Sequence, residues 1–274
     1  MTVGLLHPGE MGAALGSVLR GGGTTVRWAS AGRSDATARR AEEAGLQDVG
    51  TVDELAQRSN VIVSVCPPHA AFEVARTVSG FTGVYVDANA VSPETTRAIA
   101  ALVEEGGARF VDGGIVGPPP RAAGTTRLYL SGPDASEAAD VFEGSRLEPR
   151  VISDAVGAAS ALKMAYAAWT KGTAALLLAT RALARAENVE PALAEEWRRS
   201  LPELPEQSLR AARSAGAKGW RWVGEMEQIA ASFAAVGLPP GFHEASRDVF
   251  ARSPRLSADE TDAAALERIL DALG

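Results

Sequence analysis

One cysteine, Cys66, is all that the 274 residues contain. That excludes an internal disulfide and a thiolate metal cage, and it suits a reducing cytoplasm. The three histidines, His7, His69 and His243, fall in unrelated segments, so no metal-ligand spacing is present and no metal is expected. Positive charge is in short supply: 27 Lys and Arg stand against 34 Asp and Glu, for a formal net charge of -7. A surface that follows a phosphate backbone needs clustered cations, so nucleic acid is not an expected partner. Aromatic residues make up only 5%, which points to Ala-rich packing. The most apolar stretch, about 174–179, is bracketed by Lys171 and Arg181 and falls far short of the roughly 20 residues that cross a bilayer. Met1 leads directly into the apolar run 3–6 without the charged start, apolar core and cleavage site of a secretory leader. The expectation is a cytoplasmic protein with no membrane partner.

What is present suits an ordinary folded protein: 46% hydrophobic and 22% charged residues, in a length that accommodates two domains. Up to about residue 150, short β-rich runs alternate with helical patterns, as in a parallel sheet covered by helices on both faces. Strands are predicted at 3–6, 25–29, 61–65, 84–87, 109–112 and 127–130, whose near-continuous apolar character suits burial. Helix starts are marked by Thr51 with Glu54, a capping box, and by Ser92-Pro93, an N-cap followed by proline at the first helical position. Gly45 marks a helix end. After Ser153 the pattern turns wholly helical, beginning with a long helix over about 156–187 that connects the domains. Further helices are predicted from about Pro191, Pro205, Ala217 and Phe242, and Ser257 with Glu260 reads as a capping box for the last. The fold class is therefore an α/β Rossmann domain (1–153) followed by an all-α domain (154–274).

The clearest chemical signal is VGLLHPGEMGAALG, a strand running into a glycine turn and then an Ala-rich helix. A dinucleotide pyrophosphate must approach backbone amides at a helix N-terminus, where the helix dipole favours anions and no side chain intrudes. Gly9 would allow that approach and Gly12 the tight packing of helix on strand, with His7, Pro8, Glu10 and Met11 completing the turn. His7 stands where the G-x-G-x-x-G fingerprint has its first glycine, so this turn must tolerate a Cβ. The alternative is a purely structural glycine turn. Cofactor choice is read after the second strand, where an NAD enzyme places an acid on the adenosine ribose. Between Gly12 and Asp35 there is no acidic residue, and WASAGRS offers Ser30, Arg33 and Ser34, suited to a ribose 2′-phosphate. NADP(H) is the cofactor expected. The competing reading makes Arg33 a solvated loop charge and Ser34 only a helix cap.

MTVGLLHPGEMG, VSVCPP, VDANAVSPETT, FVDGGIVGPPP and VGAASALKMAYAAWTKG, in that order, resemble the β-hydroxyacid dehydrogenase and 6-phosphogluconate dehydrogenase superfamily over roughly the whole chain. The resemblance implies a Rossmann domain, a long inter-domain helix, a helical domain that dimerises, and hydride transfer in the cleft between the domains. The helical half looks like that of poorly characterised members. The family's lysine pattern places Gly157 and Lys163 at the start of the long helix, with Lys163 as acid/base and Tyr166 and Thr170 on its helical face. A lysine facing an Ala-lined cleft loses solvation, which lowers its pKa towards neutrality; the bland reading is a surface lysine. Where the family has an asparagine four residues on, Ala167 stands. The family's substrate-carboxylate loop corresponds to Gly114, Ile115, Val116, Gly117 and Pro118; Val116 replaces a hydroxyl, and Pro118 lacks an amide donor. Where members carry a Lys-Asp pair on a later helix, this chain has Glu225-Met226. Asn89 matches a polar position near the nicotinamide, although a turn asparagine reads almost as well. Cys66, Pro67 and Pro68 are expected along the nicotinamide side, Cys66 as packing rather than as nucleophile. Trp220, Trp222 and Phe233 read either as pocket residues or as core or dimer interface, and His69 and His243 either as groups titrating near the cleft or as structural residues.

Together these readings describe an NADP(H)-dependent oxidoreductase acting on a small carbonyl or hydroxy compound, a homodimer with Lys163 as its proton-transfer group. An imine reductase on the same fold, a non-catalytic NADP-binding protein and a methyltransferase are the competing readings, since fold does not fix function.

Overall fold

The computed structural model describes every residue except Ala258. Its strands are β1 (Thr2–Leu6), β2 (Thr25–Trp28), β3 (Gln47–Asp48), β4 (Val61–Ser64), β5 (Val84–Asp87), β6 (Arg109–Val116), β7 (Thr126–Ser131) and β8 (Leu147–Ser153). They form one sheet in the order β3-β2-β1-β4-β5-β6-β7-β8. From β3 to β6 every pair is parallel; β7 runs antiparallel to β6, and β8 parallel to β7. The chain order reverses between β1 and β4, and ligands of doubly wound sheets bind at the carboxyl ends of strands beside that switch point. Helices α1 (Glu10–Gly21), α2 (Asp35–Glu43), α3 (Val52–Gln57), α4 (Ala71–Arg76), α5 (Pro93–Glu105) and α6 (Ala135–Asp140) connect the strands. Side chains alternate along each strand, so Val3 and Leu5 join one core with Leu15, Leu19 and Phe142, while Leu6 joins the other with Ile62, Tyr85 and Phe110.

Several local signals act as the sequence suggests. Ser92 caps α5 through the Thr95 amide ahead of Pro93, and Gly45, at φ 69°, follows the end of α2. Thr51 accepts from the Glu54 amide, which is half of the expected capping box.

Other expectations require correction. Residues 113–116 form no loop: β6 continues through them, paired with β7, because Ile115 and Val116 are buried apolar residues that the sheet takes up. Two strands, β3 and β8, were not predicted; each is short of apolar residues, and β8 exposes Arg150, Val151 and Ile152. The helices expected from Pro205 and Ala217 are one helix, α9 (Leu204–Ala235). Its Gly216 does not break it, since a Cβ there would lie 2.4 Å from Leu256 Cδ1, and the glycine serves close packing. Helix α11 (Asp262–Leu273) is capped by Thr261, not by Ser257, whose amide instead donates to Glu260.

The described residues divide into two compact units, Met1–Met164 and Ala165–Gly274. Helix α7 (Ala158–Ala186) begins in the first and continues through the second, which also holds α8 (Glu190–Ser200), α9, α10 (Gly241–Arg252) and α11. Among the described residues no helix is long and apolar enough to cross a membrane.

Candidate functional site

The turn after β1 is built around backbone groups. His7 adopts φ 65°, in the left-handed region that L residues other than Asn, Asp and His rarely enter. Its carbonyl accepts from the Gly9 amide at 2.7 Å. A Cβ on Gly12 would lie 2.5 Å from that same carbonyl, so only glycine lets α1 pack this closely on β1. Gly9 is the N-cap of α1, with no side chain capping the helix, and a Cβ there would meet nothing within 4 Å. A helix N-terminus that no side chain caps, beneath open space, is the feature a pyrophosphate requires. Pro8 is buried, Met11 packs against the first core, and Glu10 is exposed.

Two arginines flank this turn. Arg33 is half-buried, with Nη1 on the Nε2 of His7, so it is not a solvated loop charge. Arg40, which was not singled out from sequence, donates from Nε to the Pro8 carbonyl at 3.5 Å and from Nη2 to Thr37 Oγ1 at 3.2 Å. Ser34 is the N-cap of α2, accepting from the Thr37 amide at 3.4 Å. Ser30 is turned to Asp48: against the opposing effect of burial, hydrogen bonds from the Gly50 amide and from Ser30 hold that carboxyl below its usual range. Sequence reading missed Asp48 because it arrives from β3, the short strand it failed to predict.

A polar row crosses the carboxyl edge of the sheet. Ser64, Asp87, Asp112 and Ser131 are register neighbours on β4, β5, β6 and β7, and all four are buried. Asn89 ties the first two to the following loop. Its amide donates to Asp87 Oδ1 at 3.0 Å, its Nδ2 to Ser64 Oγ at 3.0 Å, and its Oδ1 accepts from the Cys66 amide at 2.6 Å. Asn89 is thus more than a turn residue, since it fixes the strand end from which Cys66, Pro67 and Pro68 depart. Burial, opposed by the bonds from Asn89 and reinforced by Asp112, raises the Asp87 carboxyl to about 7. Burial first, and then Asp87, pushes the Cys66 thiol up to about 12. A thiol so protonated is no nucleophile at neutral pH.

Asp112 carries the row over to α7. Its Oδ2 accepts from Ser131 Oγ at 2.9 Å, the Gly157 amide at 3.1 Å and the Ser160 amide at 3.0 Å, while Oδ1 accepts from Ser160 Oγ at 2.6 Å. A carboxylate at a helix N-terminus is favoured by both the free amides and the dipole. One turn beyond Ser160 stands Lys163. A Cβ on Gly114 would lie 2.8 Å from the Ala159 carbonyl oxygen and 3.2 Å from Lys163 Cβ, so the bare backbone of β6 lets the helix approach. Lys163 is half-buried, has no salt-bridge partner among the described residues, and is lowered by burial from 10.5 to about 8. The first compact unit therefore brings together the glycine turn, Arg33, Cys66, Asn89, Gly114 and Lys163 around one sheet edge.

The remaining sequence-selected residues are placed as follows. Ile115 and Val116 are buried side chains, leaving only their backbone to meet a ligand, and Gly117 is held at φ 124° against the Thr125 carbonyl. Tyr166 and Thr170, on α7 in the second unit, are exposed; the Thr170 hydroxyl donates to the Tyr166 carbonyl at 3.1 Å. In that unit Trp222 stacks edge-on against Phe250, Phe233 packs on the buried His243, and Lys171 pairs with Glu225. Trp220 is exposed beneath Arg255, and His69 is exposed in the first unit. Among the described residues no cluster of metal-ligating side chains is present.

Comparison with known proteins follows the same division. Residues 2–145 match the family model for the NAD binding domain of 6-phosphogluconate dehydrogenase, and residues 184–253 match a domain of unknown function. An uncharacterised 28.5 kDa protein from Methanothermus fervidus is 31% identical over 179 residues, spanning 65% of this chain and 68% of that protein. A solved conserved protein of unknown function, described as structurally similar to 3-hydroxyacid dehydrogenases, is 29% identical, with a TM-score of 0.70 over 91% of this chain and 96% of its own. The 3-hydroxyisobutyrate dehydrogenase of Mycobacterium tuberculosis shares the fold at 18% identity, with a TM-score of 0.74 over 97% and 98% of the two chains. Imine reductases share it as well.

Proposed function

Since the chain belongs to the family that carries the NAD binding domain of 6-phosphogluconate dehydrogenase, and is thereby a nicotinamide-dependent oxidoreductase of the 3-hydroxyacid dehydrogenase fold, we propose that it uses NADP(H) and interconverts a small carbonyl and its hydroxy compound, with Lys163 as acid/base. The bound nicotinamide supplies or accepts the hydride at C4. The observation that carries the reading is Lys163 itself, half-buried, without a salt-bridge partner among the described residues, with its pKa drawn down to about 8 by burial. Such an ammonium gives up its proton near neutral pH, which is what a carbonyl oxygen gaining a hydride needs. The amides at the start of α1, which the bare Cα of Gly9 leaves open to approach, would hold the pyrophosphate, and Arg33 with Arg40 would meet the ribose 2′-phosphate. Asn89 fixes the backbone of Cys66, Pro67 and Pro68 along the nicotinamide side. Gly114 and the backbone of the strand through Gly117 would border the substrate. The competent species is a homodimer in the cytoplasm, assembled through the helical half.

A second reading, an imine reductase, is favoured by one observation. The strand that corresponds to the family's carboxylate loop offers no hydroxyl, because Val116 is buried and apolar. NADPH oxidation followed at 340 nm against parallel panels of carbonyl compounds and preformed imines separates the two. Turnover of carbonyls is expected; turnover confined to imines replaces the first reading with the second. NADH run in the same panels tests the cofactor choice.

A further inference from the structure

We infer that His7 is a specificity-determining residue: its imidazole anchors the Arg33 guanidinium beside the glycine turn, and through it gives the site its preference for a ribose 2′-phosphate. The inference rests on the reading of Arg33 as the 2′-phosphate ligand and adds the residue that positions it.

The first observation is conformational. At φ 65° His7 occupies a backbone state that glycine enters freely and a side chain with a Cβ enters at a cost. Only one other non-glycine among the described residues, Asn188, has positive φ, and asparagine is the residue type that tolerates it. Histidine is found here more often than most L residues but still at a cost that glycine does not bear, and the contact made by its side chain offsets that cost.

The second observation is what that side chain does. Nε2 meets Arg33 Nη1, while Nδ1 is buried without a partner. Burial, and after it the Arg33 charge, lower the ring's pKa to about 4, so the imidazole is neutral. A neutral ring that accepts at Nε2 carries its proton on Nδ1 and offers a lone pair to the guanidinium, with no repulsion between them.

The third concerns Arg33. No carboxylate pairs with it among the described residues, its Nε is buried and unpartnered, and burial lowers its pKa. A guanidinium held by one neutral acceptor keeps its full charge and most of its N–H groups for an incoming anion, whereas a carboxylate in place of His7 would neutralise it. Arg40, held by the Pro8 carbonyl and Thr37, brings a second cation to the same turn.

The test measures the Kd values of NADPH and NADH by fluorescence titration, together with melting temperature, for the parent, His7→Gly, His7→Gln, Arg33→Ala and the double variant His7→Gly/Arg33→Ala. Glycine relieves the backbone, so His7→Gly is expected to melt at or above the parent and to bind NADH within twofold of it. Its preference for NADPH falls about tenfold, the equivalent of one hydrogen bond. Glutamine, which carries an acceptor out to a similar reach, recovers most of the preference. The double variant matches Arg33→Ala alone, because His7 acts through Arg33. An unchanged preference in His7→Gly, or independent effects in the double variant, overturns the role of His7 while leaving Arg33 as the phosphate ligand. Equal affinity of the parent for NADPH and NADH, or no effect of Arg33→Ala, overturns the cofactor reading and His7's role with it.

Discussion

Lys163 illustrates how a single side chain is tuned by what surrounds it. Burial lowers its pKa from 10.5 to about 8, so between those values the unfolded chain holds a proton that the folded chain has released. Stability therefore rises with pH across that window and is diminished below it, where the folded protein must bury an ammonium. Lys163→Met is expected to stabilise the protein at pH 7 by on the order of 1–3 kcal/mol and to flatten its rise in melting temperature between pH 8 and 10. A variant that melts lower than the parent at pH 7 would show the lysine to be well solvated. Asp87 behaves in the opposite sense. Its carboxyl is raised from 3.8 to about 7, so the folded state retains a proton that the unfolded state loses. The associated stability is complete below pH 4 and disappears as pH rises to 7. Asp87→Asn should remove that decline, as seen in melting temperatures taken from pH 4 to 7. The position of Lys163 early on a long helix was legible in the sequence, because a family pattern and a helical pattern converge on it. Asp87 and Asp48 were not, since a buried carboxyl acquires its role from partners on neighbouring strands, and one-dimensional spacing does not show that Ser64, Asp87 and Asp112 are register neighbours.

Helix α7 is the element on which the site depends, and its first turn is held to the sheet by Asp112 through three hydrogen bonds, from the Gly157 amide and from the amide and hydroxyl of Ser160. Asp112→Ala leaves buried amides and hydroxyls without their acceptor and should cost on the order of 4 kcal/mol, measurable by urea unfolding. A loss below about 1 kcal/mol would mean that water replaces the carboxylate. Gly114→Ala tests the approach of helix and strand: its Cβ would lie 2.8 Å from the Ala159 carbonyl, so α7 must shift and carry Lys163 with it. NADPH affinity should stay within a few-fold while turnover falls at least tenfold; an unaffected turnover would separate the Gly114 contact from the chemistry. The reasons that elements were misread are also physical. Strand β8 escaped notice because half-exposed charged residues weaken its pattern, and β6 was cut short because Gly113-Gly114 imitates a turn. Those glycines are present for close approach, to Asp87 and Ala88 in one case and to α7 in the other. Gly216 and Gly219 likewise suggest a break in α9, yet both are buried within a continuous helix.

On the scale of the whole molecule, the order of strands and helices was largely legible because β-rich and helical patterns alternate up to β7 and then cease. Assembly is a matter of exposed surface. Trp169, Leu176 and Leu183 recur every seven residues along α7 with exposures of 74%, 63% and 64%, a stripe that a second helix would cover. Sedimentation equilibrium should give twice the chain mass of 28.4 kDa, and Leu176→Glu should reduce it to the monomer; a parent that sediments at 28.4 kDa contradicts the dimer. The central claim, that this molecule transfers hydride with Lys163 moving the proton, is tested most directly by single-turnover reduction of a substrate found in the carbonyl panel, at saturating NADPH and across pH. The parent rate should fall as pH rises through about 8, as the Lys163 ammonium is lost. Lys163→Met should bind NADPH as the parent does and be slower by roughly 10²- to 10⁴-fold, the range of general acid catalysis, with no remaining inflection near pH 8. If Lys163→Met keeps a near-normal rate and the same pH profile while Tyr166→Phe is crippled, the proton comes from the tyrosine and the account is contradicted.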